Sequence, residues 1–218
     1  SEYREVHQKA AVLYRKQARF QLITTGKISQ KNLLFEEQHL ERLRTASRYF
    51  AFPFDVEDLK QKIEEECQAC DINQDYRLRI SLSKSGEIAV DCQALESLSP
   101  TFCQAKLCLQ EANLQQAFTY FKTTHRPHLS LGEQEIIYHN KSGELLETSI
   151  GNLVLKISGK LYTPPIRLGI LPGIYRQHLL ETGQVEERVL ALKDLARAEA
   201  IYGCNAVRGL YELSVREN

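Results

Sequence analysis

The feature that most constrains the fold is a change in the spacing of apolar residues part-way along the chain. Between residues 36 and 69 they recur every three or four positions, which places them on one face of a helix. From residue 76 onward, apolar and polar side chains alternate, as in strands that are buried on one face. Helices therefore come first and strands predominate afterwards, an order that is typical of an α+β protein.

Two helices are predicted in the first half of the chain. The first covers residues 36–50, where the apolar residues share one face, and it ends before Pro53. The second begins after Asp55, a residue type whose side chain caps helix N-termini. Its buried stripe is expected to consist of Val56, Leu59, Ile63 and Cys67.

The rest of the chain is predicted to consist mainly of strands. Residues 76–83 and 88–95 alternate on either side of Ser85 and Gly86, which is typical of a β-hairpin. Further strands are predicted at 20–28, 105–110, 118–124, 135–139, 152–158 and 200–207, and further helices at 1–19, after Pro172 and at 192–198.

A chain of 218 residues can form one large domain or two small ones. The change from helix-rich to strand-rich sequence predicts two lobes with a boundary near residues 95–115. We expect a smaller N-terminal α/β lobe over residues 1–110 and a strand-rich C-terminal lobe over residues 111–218.

Composition narrows the classes of function. The 28 basic and 28 acidic side chains cancel, which argues against a protein that binds nucleic acid through its phosphates. No apolar run approaches the roughly 18 residues of a membrane span, and the charged residues 1–19 lack the apolar core of a secretory signal. We expect the six cysteines to be free thiols in a cytoplasmic protein. Cys67 and Cys70 lack the second close pair that a metal site requires, so no metal is predicted.

The sequence contains none of the common nucleotide-binding or hydrolase motifs, and four other segments carry residues suited to chemistry. In chain order they read HLERL at 39–43, FKTTHR at 121–126, ETSIGN at 147–152, and TPP at 163–165 followed by GILPGIYR at 169–176. In this order they resemble the class IV aminotransferase family, the fold-type IV enzymes that use pyridoxal phosphate. The NAVRG stretch at 205–209 resembles the end of the family pattern, so the resemblance runs from Phe20 to Gly209.

The resemblance assigns a role to each part of a cofactor site. Lys122 matches the lysine whose amine binds pyridoxal phosphate covalently, and Glu147 matches the carboxylate that keeps the pyridine nitrogen protonated. Arg42 matches the phosphate-binding arginine, and the backbone N–H groups of Ile174 and Tyr175 at a helix start would complete the phosphate site. Taken singly, each side chain has an ordinary alternative, since Lys122 and Glu147 could be solvated and Arg42 could form a helix-surface ion pair.

Within the family, KTTHR and ETSIGN are most similar to aminodeoxychorismate lyases. The implied reaction eliminates pyruvate from 4-amino-4-deoxychorismate and gives para-aminobenzoate for folate synthesis. Thr25, His125 and Arg126 are the expected substrate contacts. A branched-chain or D-amino acid transaminase is the first alternative. A non-catalytic member is the second, because Tyr175 and Ala206 stand where the family usually has small hydroxyl residues.

The expected partners are the small-molecule substrate, a second copy of the chain and a para-aminobenzoate synthase component. Family members are homodimers, and aromatic residues cluster at two places where they could form a subunit contact or fill the seam between the lobes. The two clusters consist of Tyr49, Phe50, Phe52 and Phe54, and of Phe118, Tyr120 and Phe121.

Overall fold

The computed structural model describes residues 19–110 and 117–215. The helix predicted over residues 1–19 lies outside these ranges except for its last position. The described helices are α1 (Glu36–Phe50), α2 (Val56–Ala69), α3 (Ala117–Tyr120), α4 (Ile174–Glu181) and α5 (Leu192–Leu195). The strands are β1 (Leu22–Ser29), β2 (Asn32–Leu33), β3 (Tyr76–Leu82), β4 (Ile88–Ala94), β5 (Gln104–Leu109), β6 (Ile136–His139), β7 (Leu145–Thr148), β8 (Asn152–Ile157), β9 (Lys160–Thr163), β10 (Glu186–Glu187), β11 (Ala200–Asn205) and β12 (Gly209–Val215).

The first sheet is antiparallel and has the strand order β2-β1-β3-β4. One face packs against α1 and α2, where Leu40, Leu59 and Leu78 belong to a continuous buried core. On the opposite face, Thr25 of β1 pairs in register with Arg79 of β3. Because side chains alternate along a strand, this polar face turns away from the helices and toward the second sheet.

The second sheet has the order β10-β9-β8-β11-β12-β5-β6-β7, and β7 also pairs with β8. The extra pairing closes six of the strands into a ring, and the core of this half includes Ile137, Leu145, Leu153 and Leu213. β5 pairs in parallel with both β6 and β12. It therefore belongs to the second sheet although it precedes residue 110, and the predicted division at residue 110 stays a prediction.

The helix cap and the hairpin turn predicted for the first half of the chain are present in the structure. The carboxylate of Asp55 accepts hydrogen bonds from the N–H groups of Glu57 and Asp58 at 3.0 and 3.1 Å, and it thereby begins α2. At the end of α1, Ala51 adopts a left-handed conformation with φ 54°. The predicted hairpin forms between β3 and β4, with Gly86 at φ 90°. The α+β class is confirmed.

Three local predictions are wrong. Residues 118–124 do not form a strand, because residues 117–120 form the single helical turn α3 and only Thr123 forms an isolated bridge, to Leu22. The predicted helix at 192–198 ends at Leu195, and the strand predicted to reach residue 207 ends at Asn205. The final strand β12 was not predicted at all. Among the described residues, no helix is long and apolar enough to cross a membrane.

Candidate active site

A cavity of about 410 Å³ lies between the two sheets. On one side it is lined by residues of β1 and β3, and on the other by the segment 122–131 and by residues 149–150 and 205–208. Lys122, Thr25 and Arg126, three of the residues selected from the sequence, line this cavity. The fold thus brings together side chains that lie about a hundred positions apart.

Lys122 is held at the cavity by its own backbone. Its carbonyl accepts a hydrogen bond from the Ile23 N–H at 2.9 Å, and the Thr124 N–H donates to the Gln21 carbonyl at 2.9 Å, so the segment is fixed against the start of β1. Burial lowers the pKa of the Lys122 amine well below its ordinary value, and the positive charges of Arg42, Arg126 and Arg79 lower it further. Both effects favour the neutral amine, which is the nucleophilic form.

Glu147 is a buried carboxyl group on β7 with one unused oxygen atom. Its Oε2 accepts a hydrogen bond from the Leu171 N–H at 3.3 Å and lies 3.6 Å from Nη2 of Arg126. Its Oε1 is buried and has no hydrogen-bond partner among the described residues. Burial raises the pKa of this carboxyl to about 7, although Arg126, the Leu171 N–H and Lys122 oppose the change.

Arg42 lies beside the N-terminus of α4. Its Nη2 donates a hydrogen bond to the Pro172 carbonyl at 2.6 Å, one residue before Gly173, the N-cap of α4. Within the described part of the chain no side chain caps this helix, so its first N–H groups, including those of Ile174 and Tyr175, remain available to an anion. Burial lowers the pKa of Arg42 to about 10, so the guanidinium still carries its charge at neutral pH.

Gly173 has no room for a side chain at this helix start. A Cβ atom there would lie 1.9 Å from Oδ1 of Asn152, whose amide donates to the Leu171 carbonyl at 2.8 Å. Asn152 belongs to the same ETSIGN segment as Glu147 and lies opposite it in the β7–β8 pair. The ETSIGN segment and the start of α4 therefore hold the Glu147 carboxylate and the helix N-terminus in one fixed arrangement.

The remaining residues selected from the sequence lie in different surroundings. His125 does not line the cavity, because its ring packs against Phe118 with the ring centroids 4.9 Å apart. The ring of Tyr175 packs near Phe35, with centroids 6.0 Å apart, and its hydroxyl lies 3.3 Å from where a Cβ of Gly209 would be. Tyr175 thus uses its ring for packing, while its backbone N–H faces the helix start.

Sequence reasoning missed three arginines that line the cavity, namely Arg77, Arg79 and Arg208. Arg77 and Arg79 alternate with the buried Leu78 and Ile80 along β3. That alternation is visible in the sequence, but it does not reveal whether the polar face meets solvent or a second lobe.

A second buried carboxyl group, Glu135, was also missed. It is fully buried and accepts hydrogen bonds from the hydroxyls of Ser149 and Tyr211, the latter at 2.9 Å. The Ser149 hydroxyl also accepts a hydrogen bond from the Ile136 N–H at 3.0 Å. Because Ser149 lines the cavity, this network fixes part of the cavity wall from behind.

The amino-transferase class IV family model matches residues 21–214 of the sequence. The chain belongs to the class IV aminotransferase family. This is a family of enzymes that use pyridoxal phosphate, and the prediction made from the four segments is confirmed.

Individual relatives carry different names. An aminodeoxychorismate lyase of Saccharomyces cerevisiae is 26% identical, over 87% of this chain and 69% of the yeast protein. A solved structure from Mesorhizobium loti, named provisionally as an amino-acid aminotransferase, is 26% identical with a TM-score of 0.78, covering 90% of this chain and 100% of that one. A hypothetical aminotransferase from Mycobacterium tuberculosis, solved in its PLP-bound form, has a TM-score of 0.72 at 17% identity, covering 89% and 81% of the two chains. At that identity the likeness shows the fold alone.

The donor groups at the site fit pyridoxal phosphate. The unpartnered Oε1 of Glu147 can accept a hydrogen bond from a protonated ring nitrogen, and the N-terminus of α4 with Arg42 can bind a phosphate. Lys122 supplies the amine that covalent attachment requires, and it is close enough to Glu147 for the carboxylate to affect its pKa. All three elements that the cofactor needs are present.

Proposed function

We propose that this protein is a pyridoxal-phosphate-dependent lyase that converts 4-amino-4-deoxychorismate into pyruvate and para-aminobenzoate, a precursor of folate. The observation that carries the proposal is a cavity lined by Lys122 and four arginines, next to Glu147 and the α4 N-terminus. Such a lining suits a substrate that combines an amine with carboxylates. The yeast relative, named as an aminodeoxychorismate lyase, supports the same reaction.

The cofactor residues bind and orient rather than react. Arg42 and the N–H groups of Ile174 and Tyr175 bind the phosphate, and Glu147 holds the proton on the ring nitrogen. When bound, pyridoxal phosphate withdraws electrons from the amine-bearing carbon of the substrate. Glu147 determines how strongly it does so, because a positively charged ring nitrogen attracts those electrons.

Lys122 is the residue that moves protons. With its Nζ free, Lys122 would remove the proton from the amine-bearing carbon of the substrate, while the bond between the ring and the enolpyruvyl oxygen breaks. The same Nζ then returns a proton to the methylene carbon of the leaving group, which becomes pyruvate. The lowered pKa of Lys122 suits both steps, since an amine that gives up its proton more readily can first accept a proton and then donate it.

Thr25 and Arg126 lie on opposite walls of the cavity, where they would contact one carboxylate of the substrate. The guanidinium of Arg126 can bind a carboxylate through two parallel hydrogen bonds, which fixes the orientation of the substrate. The Arg126–Glu147 separation of 3.6 Å leaves Arg126 free to form a stronger interaction with a ligand.

The direct test is product analysis. The purified protein, loaded with pyridoxal phosphate, is incubated with 4-amino-4-deoxychorismate, and pyruvate and para-aminobenzoate are measured by a coupled dehydrogenase assay and by chromatography. We expect equal amounts of the two products and none from the Lys122→Ala variant. A protein that holds the cofactor yet releases neither product would contradict the lyase proposal.

Attachment of the cofactor is tested separately. Sodium borohydride makes the bond between cofactor and lysine permanent, and peptide mapping then identifies the labelled residue. We expect the label on Lys122. A label on another lysine, or no cofactor absorbance in the purified protein, would oppose this assignment, and the latter result would favour a non-catalytic member.

A transaminase is the second candidate, and the Mesorhizobium loti relative named as an amino-acid aminotransferase favours it. It would use the same cofactor residues but transfer the amine to a keto acid. Incubation with branched-chain or D-amino acids and 2-oxoglutarate would then produce glutamate. Glutamate formation without pyruvate release from 4-amino-4-deoxychorismate would select this candidate.

A further inference from the structure

The cavity carries an unusual excess of positive charge. Its lining includes four arginines, Arg77, Arg79, Arg126 and Arg208, and among the described residues it includes no aspartate or glutamate. Grouping like charges in a partly buried space is unfavourable unless an opposite charge compensates them. The lining therefore indicates a ligand that is itself negatively charged.

Two of the four arginines already have acidic partners. Arg77 lies 3.3 Å from Asp91 and donates to the side chain of Gln93 at 3.0 Å, and Arg126 faces Glu147. Within residues 19–110 and 117–215, Arg79 and Arg208 have no acidic side chain as partner. Their charges are the ones that a ligand would compensate.

Arg79 and Arg208 both lie in segments whose backbone is fixed by hydrogen bonds. Arg79 is a central residue of β3 and pairs with Thr25 on one side and Asp91 on the other. The backbone N–H of Arg208 donates to Oδ1 of Asn205 at 2.9 Å, and its side chain donates to the carbonyl of Glu96. The Arg208 guanidinium, which is held by this contact, can bind a carboxylate without losing much conformational freedom, and the backbone of Arg79 is fixed by its strand pairs.

We propose that Arg79 and Arg208 form a second carboxylate site in the cavity, so that the preferred substrate is an amine with two carboxylates. The inference rests on the proposed function and deepens it, because 4-amino-4-deoxychorismate has a ring carboxylate and an enolpyruvyl carboxylate. Arg126 and Thr25 bind the ring carboxylate, and Arg79 and Arg208 bind the enolpyruvyl carboxylate. A branched-chain amino acid has a single carboxylate, and its apolar side chain would leave this site uncompensated.

The test measures binding without turnover. Chorismate has the same two carboxylates as the proposed substrate but a hydroxyl in place of the amine, whereas 4-hydroxybenzoate lacks the enolpyruvyl carboxylate. Each is titrated calorimetrically into the cofactor-loaded protein and into the Arg79→Gln, Arg79→Lys and Arg208→Gln variants. Arg48→Gln removes the same charge from an exposed position of α1 outside the site and is the matched control.

We expect Arg79→Gln to weaken chorismate binding by about tenfold to a hundredfold, the range for a charge-assisted hydrogen bond. Binding of 4-hydroxybenzoate should change less than about twofold, because one carboxylate needs only one of the two sites. Arg79→Lys should restore part of the affinity through its charge, and Arg48→Gln should match the wild type. If Arg79→Gln does not retain the cofactor, Arg208→Gln decides by the same comparison.

The outcomes separate this inference from the proposed reaction. An equal loss for both ligands, no loss at all, or a wild-type protein that prefers 4-hydroxybenzoate would overturn the second carboxylate site. Arg79-dependent binding of chorismate in a protein that releases no pyruvate would support the site and refute the lyase reaction. Lyase activity with a KM unchanged by Arg79→Gln and Arg208→Gln would support the reaction and refute the site.

Discussion

Replacing Glu147 by glutamine should stabilise the cofactor-free protein at pH 8 and have little effect at pH 4.5. The ordinary pKa of this carboxyl is 4.5, and burial raises it to about 7 in the folded chain. The folded state therefore binds the proton more tightly than the unfolded state, and stability is lost as the pH rises from 4.5 through 7. At about 1.36 kcal/mol for each pKa unit, the loss amounts to about 3 kcal/mol. Glutamine is isosteric and carries no charge, so its variant escapes this loss.

Two buried histidines change the stability of the protein with pH in the opposite direction to Glu147. Burial lowers the pKa of His39 to about 3 and that of His128 to about 4, from an ordinary value of 6.5. Because the folded values are depressed, these groups lower stability as the pH falls below 6.5. The pH profile of the wild type is therefore a sum of opposing contributions. The difference between wild type and Glu147→Gln isolates Glu147, since both proteins keep the histidines.

The assay is urea unfolding of both cofactor-free proteins, followed by circular dichroism at pH 4.5, 6 and 8. The free-energy difference should grow with pH toward about 3 kcal/mol, with unchanged dependence on urea concentration. A difference that is constant with pH, or a wild type that is the more stable protein at pH 8, would show that Arg126 outweighs burial. Added pyridoxal phosphate should stabilise the wild type more than the variant, because only the carboxylate can pair with a protonated ring nitrogen.

Three further changes test other parts of the structure. Lys122→Ala should reduce product formation at least about a hundredfold, because alanine cannot accept or donate the proton, and steady-state kinetics measures this. Gly203→Ala should lower the free energy of unfolding in urea by about 1–3 kcal/mol, because its Cβ would lie 2.3 Å from the Tyr211 ring. Gly132→Ala is the control and should be neutral, because a Cβ there meets no described atom within 4 Å. Equal effects of the two changes would refute the packing argument. Light scattering should report about twice the 25.0 kDa chain mass, and a fully active monomer would contradict the expected homodimer.

The aromatic clusters that motivated the dimer prediction contact one another within the chain. Phe50 stacks on Phe118 with centroids 5.8 Å apart, and Phe20 lies 5.2 Å from Phe118. Tyr49 is the exception, because it contacts Phe121 but remains 61% exposed. The alternative given for these clusters, that they fill the seam between the lobes, therefore explains most of them, and the dimer prediction depends on the family resemblance.

The elements predicted well from the sequence are those that local chemistry determines. α1 covers residues 36–50 in both the prediction and the structure, because its apolar spacing and the residues at its end act within one or two turns. The closure of the ring depends instead on the pairing of β12 with β5, a strand about a hundred positions earlier in the sequence. A short segment such as 117–124 has aromatic residues typical of a strand, but among the described residues only Thr123 of this segment forms a bridge, and residues 117–120 form one helical turn.

The site residues could be identified from the sequence, whereas their chemical state could not. Four short segments are enough to select Lys122, Glu147 and Arg42, because each residue type matches one chemical need of the cofactor. The lowered pKa of Lys122 and the raised pKa of Glu147 both arise mainly from burial, and burial exists only after the two sheets pack together. This environment disfavours the charged form of the amine, and at neutral pH it weakens the charge on the carboxyl. A ligand with a protonated ring nitrogen supplies a positive charge that favours the charged form of Glu147. Its phosphate supplies a negative charge that pairs with Arg42. The cofactor should therefore act as part of the charge balance of the site as well as its reactive group.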